Sequence, residues 1–127
     1  MNSHPRAFKT TWFAKHARKA RISDTELCSA LREIQAGQCD DLGGGVFKKR
    51  LANNNYRSII VSKSRDLWIY EYLFAKNDRD NIDDKELAAF RKLSSAYAAI
   101  THEQLAQLCS NGDLQEICSG NQAQVPK

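Results

Sequence analysis

No stretch of this 127-residue chain is apolar for long enough to cross a bilayer, since none approaches the roughly 20 residues that a membrane helix requires. Glycine (6) and proline (2) are few, which argues against long disordered stretches outside the termini. Met1 to Arg21 lacks the apolar segment and cleavage pattern of a secretory leader. It reads as mature protein and places the chain in the cytoplasm, with no membrane partner. The four cysteines, Cys28, Cys39, Cys109 and Cys118, contain no CxxC pair, and their spacing matches no zinc site. In a reducing compartment the expectation is four reduced, structural thiols. His4, His16 and His102 lie far apart, so no His/Asp/Glu cluster has the spacing of metal ligands. No metal and no cofactor is expected. Nor does any serine or cysteine occupy a nucleophile motif.

What is present is ordinary in amount and uneven in distribution. The chain is 42% hydrophobic and 27% charged, long enough for one domain with a real core and no need of a covalent staple. Its net charge of +4 divides unequally. Residues 1–63 carry 12 Lys/Arg and 5 Asp/Glu, or +7, and residues 64–127 carry 7 and 10, or −3. A basic half suggests a polyanionic partner, nucleic acid first.

Hydrophobic periodicity supplies the elements. Ala7 to Lys9 reads as a short strand, after which Thr10 or Thr11 caps a helix with Trp12 or Phe13, His16, Ala17 and Ala20 at helical spacing. Ser23 and Glu26 match a capping box for a second helix, lined by Leu27, Ala30, Leu31 and Ile34 and stopped at Gly37. The period then changes. Val46 to Leu51, Tyr56 to Lys63 and Leu67 to Ala75 read as three strands, separated by turns at Asn53-Asn54-Asn55 and Ser64-Arg65-Asp66, and so as an antiparallel meander. Gly43-Gly44-Gly45 matches no nucleotide-binding loop and reads as a flexible entry into the sheet. Helix returns with Leu87, Phe90, Leu93, Tyr97 and Ile100 behind a cap at Asp83 or Asp84. A shorter helix follows, with a Thr101/Gln104 capping box and an end at Asn111-Gly112. Leu114 to Cys118 is either an edge strand or a loosely packed segment. The expected fold class is α+β: a small antiparallel sheet of three to five strands with two N-terminal and further C-terminal helices. It forms a single domain over residues 1–127, with its core at about 7–110 and a frayed tail at 119–127.

The chemistry concentrates on the central strands. Alternation puts Lys48 and Arg50 on one face of their strand and Lys49 on the other. In an antiparallel meander Arg57, Lys76 and Arg79 converge on the same end, and Tyr56 stands ready to stack on a base or donate to a phosphate. Lys15 and Arg18 add outward cations on the first helix. The bland alternative is a solvated sheet face with scattered charges. The acidic residues Asp78, Asp80, Asp83 and Asp84 lack a calcium-loop pattern and read best as helix caps.

Four stretches together resemble RelE-type toxins, and within them the HigB-like subgroup. They are Phe8-Lys9-Thr10 with Trp12-Phe13; Leu42-Gly43-Gly44-Gly45 with Lys48-Lys49-Arg50; Tyr56-Arg57; and Phe74-Ala75-Lys76-Asn77-Asp78-Arg79-Asp80-Asn81-Ile82. The resemblance runs from about Phe8 to Leu108. It implies a type II toxin that enters the ribosomal A site, contacts ribosomal RNA and cleaves mRNA without a metal, through attack of the ribose 2′-hydroxyl. It also implies a helix-turn-helix antitoxin from the same operon. Lys48 and Arg50 stand nine and seven positions before Arg57, the spacing of the basic residues in RelE. By the resemblance Lys48, Arg50 and Arg57, with Arg79, are the catalytic set, while charge and placement make Tyr56, Lys76, Lys49, Lys15 and Arg18 the RNA-binding set. The chain departs from RelE at Asn77, where RelE has arginine, and at Asp83, where RelE has tyrosine. Arg79 is the candidate substitute for the first, and the acid/base group stays open. Codon preference, oligomeric state and the identity of the antitoxin are not encoded in any motif. Two other readings remain at this point: a ParE-like inhibitor of gyrase that cleaves no RNA, and a nucleic-acid-binding module without toxicity.

Overall fold

The computed structural model describes residues 5–118. The expected frayed tail at 119–127 therefore lies outside the described residues. The elements follow in the order β1 (Arg6–Thr10), α1 (Thr11–Lys19), α2 (Asp24–Gln35), β2 (Asp40–Gly43), β3 (Val46–Leu51), β4 (Tyr56–Lys63), β5 (Leu67–Ala75), α3 (Asp84–Ala98), α4 (His102–Ser110) and β6 (Leu114–Ile117). No helix among them is long and apolar enough to cross a membrane.

The fold is α+β, with six strands in the order β2-β3-β4-β5-β1-β6, which exceeds the three to five expected. The β3-β4-β5 meander forms as anticipated. The addition that sequence reasoning missed is β2, read as loop because Asp40-Asp41-Leu42-Gly43 has little strand propensity. It is held by pairing with β3, Asp40 opposite Lys48. The three glycines are thus no flexible entry. Gly44 and Gly45, at φ +65° and +85°, form the turn of a β2-β3 hairpin, and two successive positive φ values suit glycine in such a turn. β1 lies parallel to β5 and antiparallel to β6, between them.

Helices cover both faces. On one, Phe13 and Ala17 of α1 and Leu27, Leu31 and Ile34 of α2 pack on Phe47, Ile60, Trp68, Tyr70 and Leu73. The Tyr70 hydroxyl donates to the Leu27 carbonyl at 2.7 Å, which satisfies its polar atom inside this core. On the other face α3 and α4 cover two smaller clusters, one around Phe8, Leu67, Ile69, Leu105 and Leu114, the other around Val46, Ile59, Phe74 and Ile82. Leu114 and Ile117 are buried, so the packed core reaches Ile117.

The caps correct one expectation and refine two. Thr10 caps α1 and Asp83 caps α3, the latter in a closed box with Glu86; Thr101 and Gln104 close the box of α4. The Ser23 hydroxyl accepts from Glu26 N, but the reciprocal half of that box is absent. The Glu26 carboxylate instead accepts from Ala52 N at 2.6 Å and ties α2 to the β3-β4 turn. That turn holds Ala52, Asn53 and Asn54 at positive φ, so its backbone profits from an external anchor.

The cysteine expectation is overturned for one pair. Cys28 of α2 and Cys118, just after β6, form a disulfide with Cα atoms 5.4 Å apart. A separation of 90 residues carries no sequence signal; the sheet order brings the two together. Cys39 and Cys109 stay free, and burial pushes both thiols up from their usual range.

The β2-β3 turn permits a sharp test. A methyl group on Gly45 would approach the Ser62 carbonyl to 2.8 Å and collide with the Ser94 hydroxyl, which donates to that same carbonyl. Gly45→Ala is expected to cost about 1–3 kcal/mol through the positive φ and the collision together. Denaturant unfolding measures it. A midpoint equal to that of the wild type would show that the hairpin is not braced against α3.

Candidate nucleic-acid interface

The β3-β4-β5 register sets the site. Arg50 stands directly opposite Arg57, and Arg57 opposite Phe74, so one row crosses three strands on a single face. The next row is Lys48, Ile59 and Tyr72 on that same face. Farther along, α3 covers the face through Leu87 and Phe90. The cations sit at the end of the sheet beside the β3-β4 turn.

Their surroundings differ. Arg50 is exposed. Arg57 is half-buried and donates through Nη1 to the carbonyls of Asn54 (3.0 Å) and Tyr56 (3.3 Å), which orients its fork against the turn. Among the described residues no carboxylate lies within ion-pair distance of Arg50 or Arg57. Lys48 lies 3.7 Å from Asp40 across the β2-β3 pair, with its side chain 15% exposed. Like charges directly opposite one another destabilise a sheet. An uncompensated arginine pair is therefore a place prepared for an anion, because a bound phosphate removes the repulsion and receives forked hydrogen bonds.

The other candidates separate from this row. Lys49 points to the opposite face, where its ammonium pairs with Glu33 at 2.7 Å and donates to the Gln38 carbonyl. It braces β3 against α2. Lys15 and Arg18 are exposed on α1, which packs on the face opposite the arginine row. Lys76 is exposed in the turn after β5, where its backbone bonds Asn55. Tyr56, opposite Leu51 and Ala75, also belongs to the α1/α2 face.

Arg79 reaches the neighbourhood but is already engaged. Its guanidinium pairs doubly with Glu86 (Nη1 at 3.0 Å, Nη2 at 2.5 Å) and donates to the Asn81 carbonyl and the Tyr72 hydroxyl. It also lies over the Tyr72 and Phe74 rings. Glu86 holds the Arg79 charge firmly, and Arg79 in turn lowers the Glu86 carboxyl below its usual range. This geometry makes Arg79 a brace between β5 and the start of α3. Arg79→Ala and Arg79→Lys are both expected to lower the melting temperature by a few degrees, because lysine cannot fork onto a carboxylate. The ends of the bridge are 31% and 32% exposed, so solvent screens it and the loss stays modest. An Arg79→Ala protein that melts like the wild type would remove the brace.

Sequence reasoning missed a second wall. A groove of about 310 Å³ runs between α1 and the outer half of β5, lined by His16, Lys19, Tyr56, Tyr72, Phe74 and Arg79 among others. Trp12 stacks on His16 with ring centroids 3.6 Å apart and touches Tyr72 at 5.2 Å. The Trp12-His16 spacing of four residues was the available signal, since such residues meet on one helix face.

A search of curated proteins finds no match. A family model described as the RelE toxin of the RelE/RelB toxin-antitoxin system matches residues 5–117, the whole span from β1 to the end of β6, and the chain belongs to that family.

Proposed function

We propose that this toxin inhibits translation by cutting mRNA in the ribosomal A site, with Arg50 and Arg57 on the scissile phosphate. The observation that carries the reading is the cross-strand arginine pair without a carboxylate partner among the described residues. In the proposed reaction the 2′-oxygen gives up its proton and bonds to phosphorus. The bond from phosphorus to the 5′-oxygen breaks, and that oxygen takes a proton. The products are a 2′,3′-cyclic phosphate and a 5′-hydroxyl. No oxidant, metal or cofactor enters this balance. What rises toward the transition state is negative charge on the phosphoryl oxygens, and fixed guanidinium donors stabilise it. Lys48 adds a third cation on the same face.

On this reading the protein acts in the cytoplasm, where ribosomes are. Its partner is a helix-turn-helix antitoxin from the same operon, whose inhibitory segment is acidic or covers the arginine row. Expression of the toxin alone in bacteria, with mapping of mRNA 5′ ends, tests the proposal. The expected result is growth arrest, falling protein synthesis and new 5′ ends confined to translated regions. Unchanged translation after strong soluble expression would overturn it, and DNA breaks with intact mRNA would favour a gyrase target.

A further inference from the structure

We infer that the groove between α1 and the outer half of β5 holds one unpaired base of single-stranded RNA, stacked on the imidazole of His16. This inference rests on the RNA reading above and adds a base-binding site to it. Trp12 is 41% exposed, the large apolar side chain that stands out in solvent among the described residues. Its ring lies 3.6 Å from that of His16 at an interplanar angle of 17°, so the two form a flat stack at the edge of the groove. Tyr72 extends the aromatic surface beneath them. Stacked aromatic rings beside cations suit bases of any sequence, since every base has a π-face.

The His16 ring is set in place. Its Nδ1 lies 2.9 Å from the Trp12 carbonyl, and a carbonyl only accepts, so Nδ1 carries a proton and donates. The ring is thereby fixed from two sides, and among the described residues Nε2 has no hydrogen-bond partner. Charge favours an anionic ligand over an apolar one, and the stacked rings favour a nucleic-acid base over an acidic protein segment. α1 contains no acidic residue, and Lys19 and Arg79 flank the aromatic floor. Asp78, also on the lining, supplies an acceptor for a base amino group or a ribose hydroxyl. The groove is continuous with the arginine row: Phe74 lines it and is the register partner of Arg57. A strand with one phosphate on Arg57 therefore has a neighbouring base within the groove's reach.

The two tryptophans make the test direct. Trp68 is fully buried and Trp12 is exposed, so quenching of intrinsic fluorescence by a short unpaired oligoribonucleotide reports Trp12. Binding is measured in parallel by anisotropy of the labelled oligonucleotide, at low salt, for the wild type, His16→Ala, Trp12→Phe and Arg57→Ala. The expected result is quenching on titration, weaker binding by the duplex form, and a loss of roughly 5- to 100-fold in affinity for His16→Ala, the range of one lost base stack. Trp12→Phe keeps an aromatic backing with a smaller ring and should lose less affinity than His16→Ala. Quenching of the wild type needs no variant, so the test survives a His16→Ala protein that simply fails to fold. RNA binding that depends on Arg57 but leaves Trp12 and His16→Ala unaffected would overturn the groove and spare the RNA reading. No binding even at low salt would overturn both. A Trp12 signal that answers only to the antitoxin would overturn the RNA assignment and give the groove to a protein partner.

Discussion

Arg57→Ala is expected to abolish ribosome-dependent cleavage while the protein melts at an unchanged temperature. Two features underlie this expectation. Among the described residues its guanidinium donates to the carbonyls of Asn54, in the β3-β4 turn, and Tyr56, at the start of β4, so its removal is expected to leave the core whole. In the proposed reaction its remaining donors face the phosphate. Losing one preorganised donor to a developing negative charge typically costs about 3–4 kcal/mol, or 10²–10³ in rate. Lys49→Ala supplies the comparison. Lys49 is bonded to Glu33 and Gln38 on the other face, so its loss should leave the rate near that of the wild type. Single-turnover cleavage on stalled ribosomes measures both. Equal damage from the two substitutions would mean that the face assignment does not govern activity.

Breaking the Cys28–Cys118 bond should lower stability by about 2–4 kcal/mol, because it releases a long closed loop in the unfolded chain. For a domain of this size that is a fall in melting temperature on the order of 10 °C. Cys28→Ser and wild type with reductant should melt alike, and reductant should no longer affect the variant. The bond fastens the region after β6 to α2, so loss of its staple should fall first on the β6 edge, seen as faster amide exchange at Leu114–Ile117. Identical melting of the oxidised and reduced proteins would show that packing of Leu114 and Ile117 alone holds this edge.

Local signals were read well and long-range ones poorly. The meander, the four helices, the cap at Thr101 and, to within one residue, the cap at Asp83 were legible because periodicity and cap chemistry act within a few residues. β2 was not, since its pairing with β3 overrides a sequence with low strand propensity. The bond between Glu26 and Ala52 was hidden for a related reason. A glutamate three residues after a capping serine reads as half of a box, and only the folded chain offers it a better donor. At the candidate site, alternation correctly opposed Lys49 to Lys48 and Arg50. Arg79 could not be read, because its partner Glu86 belongs to a helix whose docking is a tertiary event. The groove at His16 was missed because periodicity assigned His16 to an apolar helix face and gave no sign of what that face would meet.

The placement of β1 between β5 and β6 has a bearing on the order in which the protein comes into being. The meander of β3, β4 and β5 is built from neighbours in sequence and can zip soon after those residues are made. β1 is synthesised before all of them, yet one of its edges pairs with Leu67 to Tyr70 and the other with Leu114 to Ile117. Phe8, fully buried in the finished protein, lies in a cluster with Leu114. Until residues 114–117 have left the ribosome, Arg6–Thr10 has one edge without its strand. The sheet is thus closed by joining its earliest strand to its latest, and the fold can be completed only once both have been made.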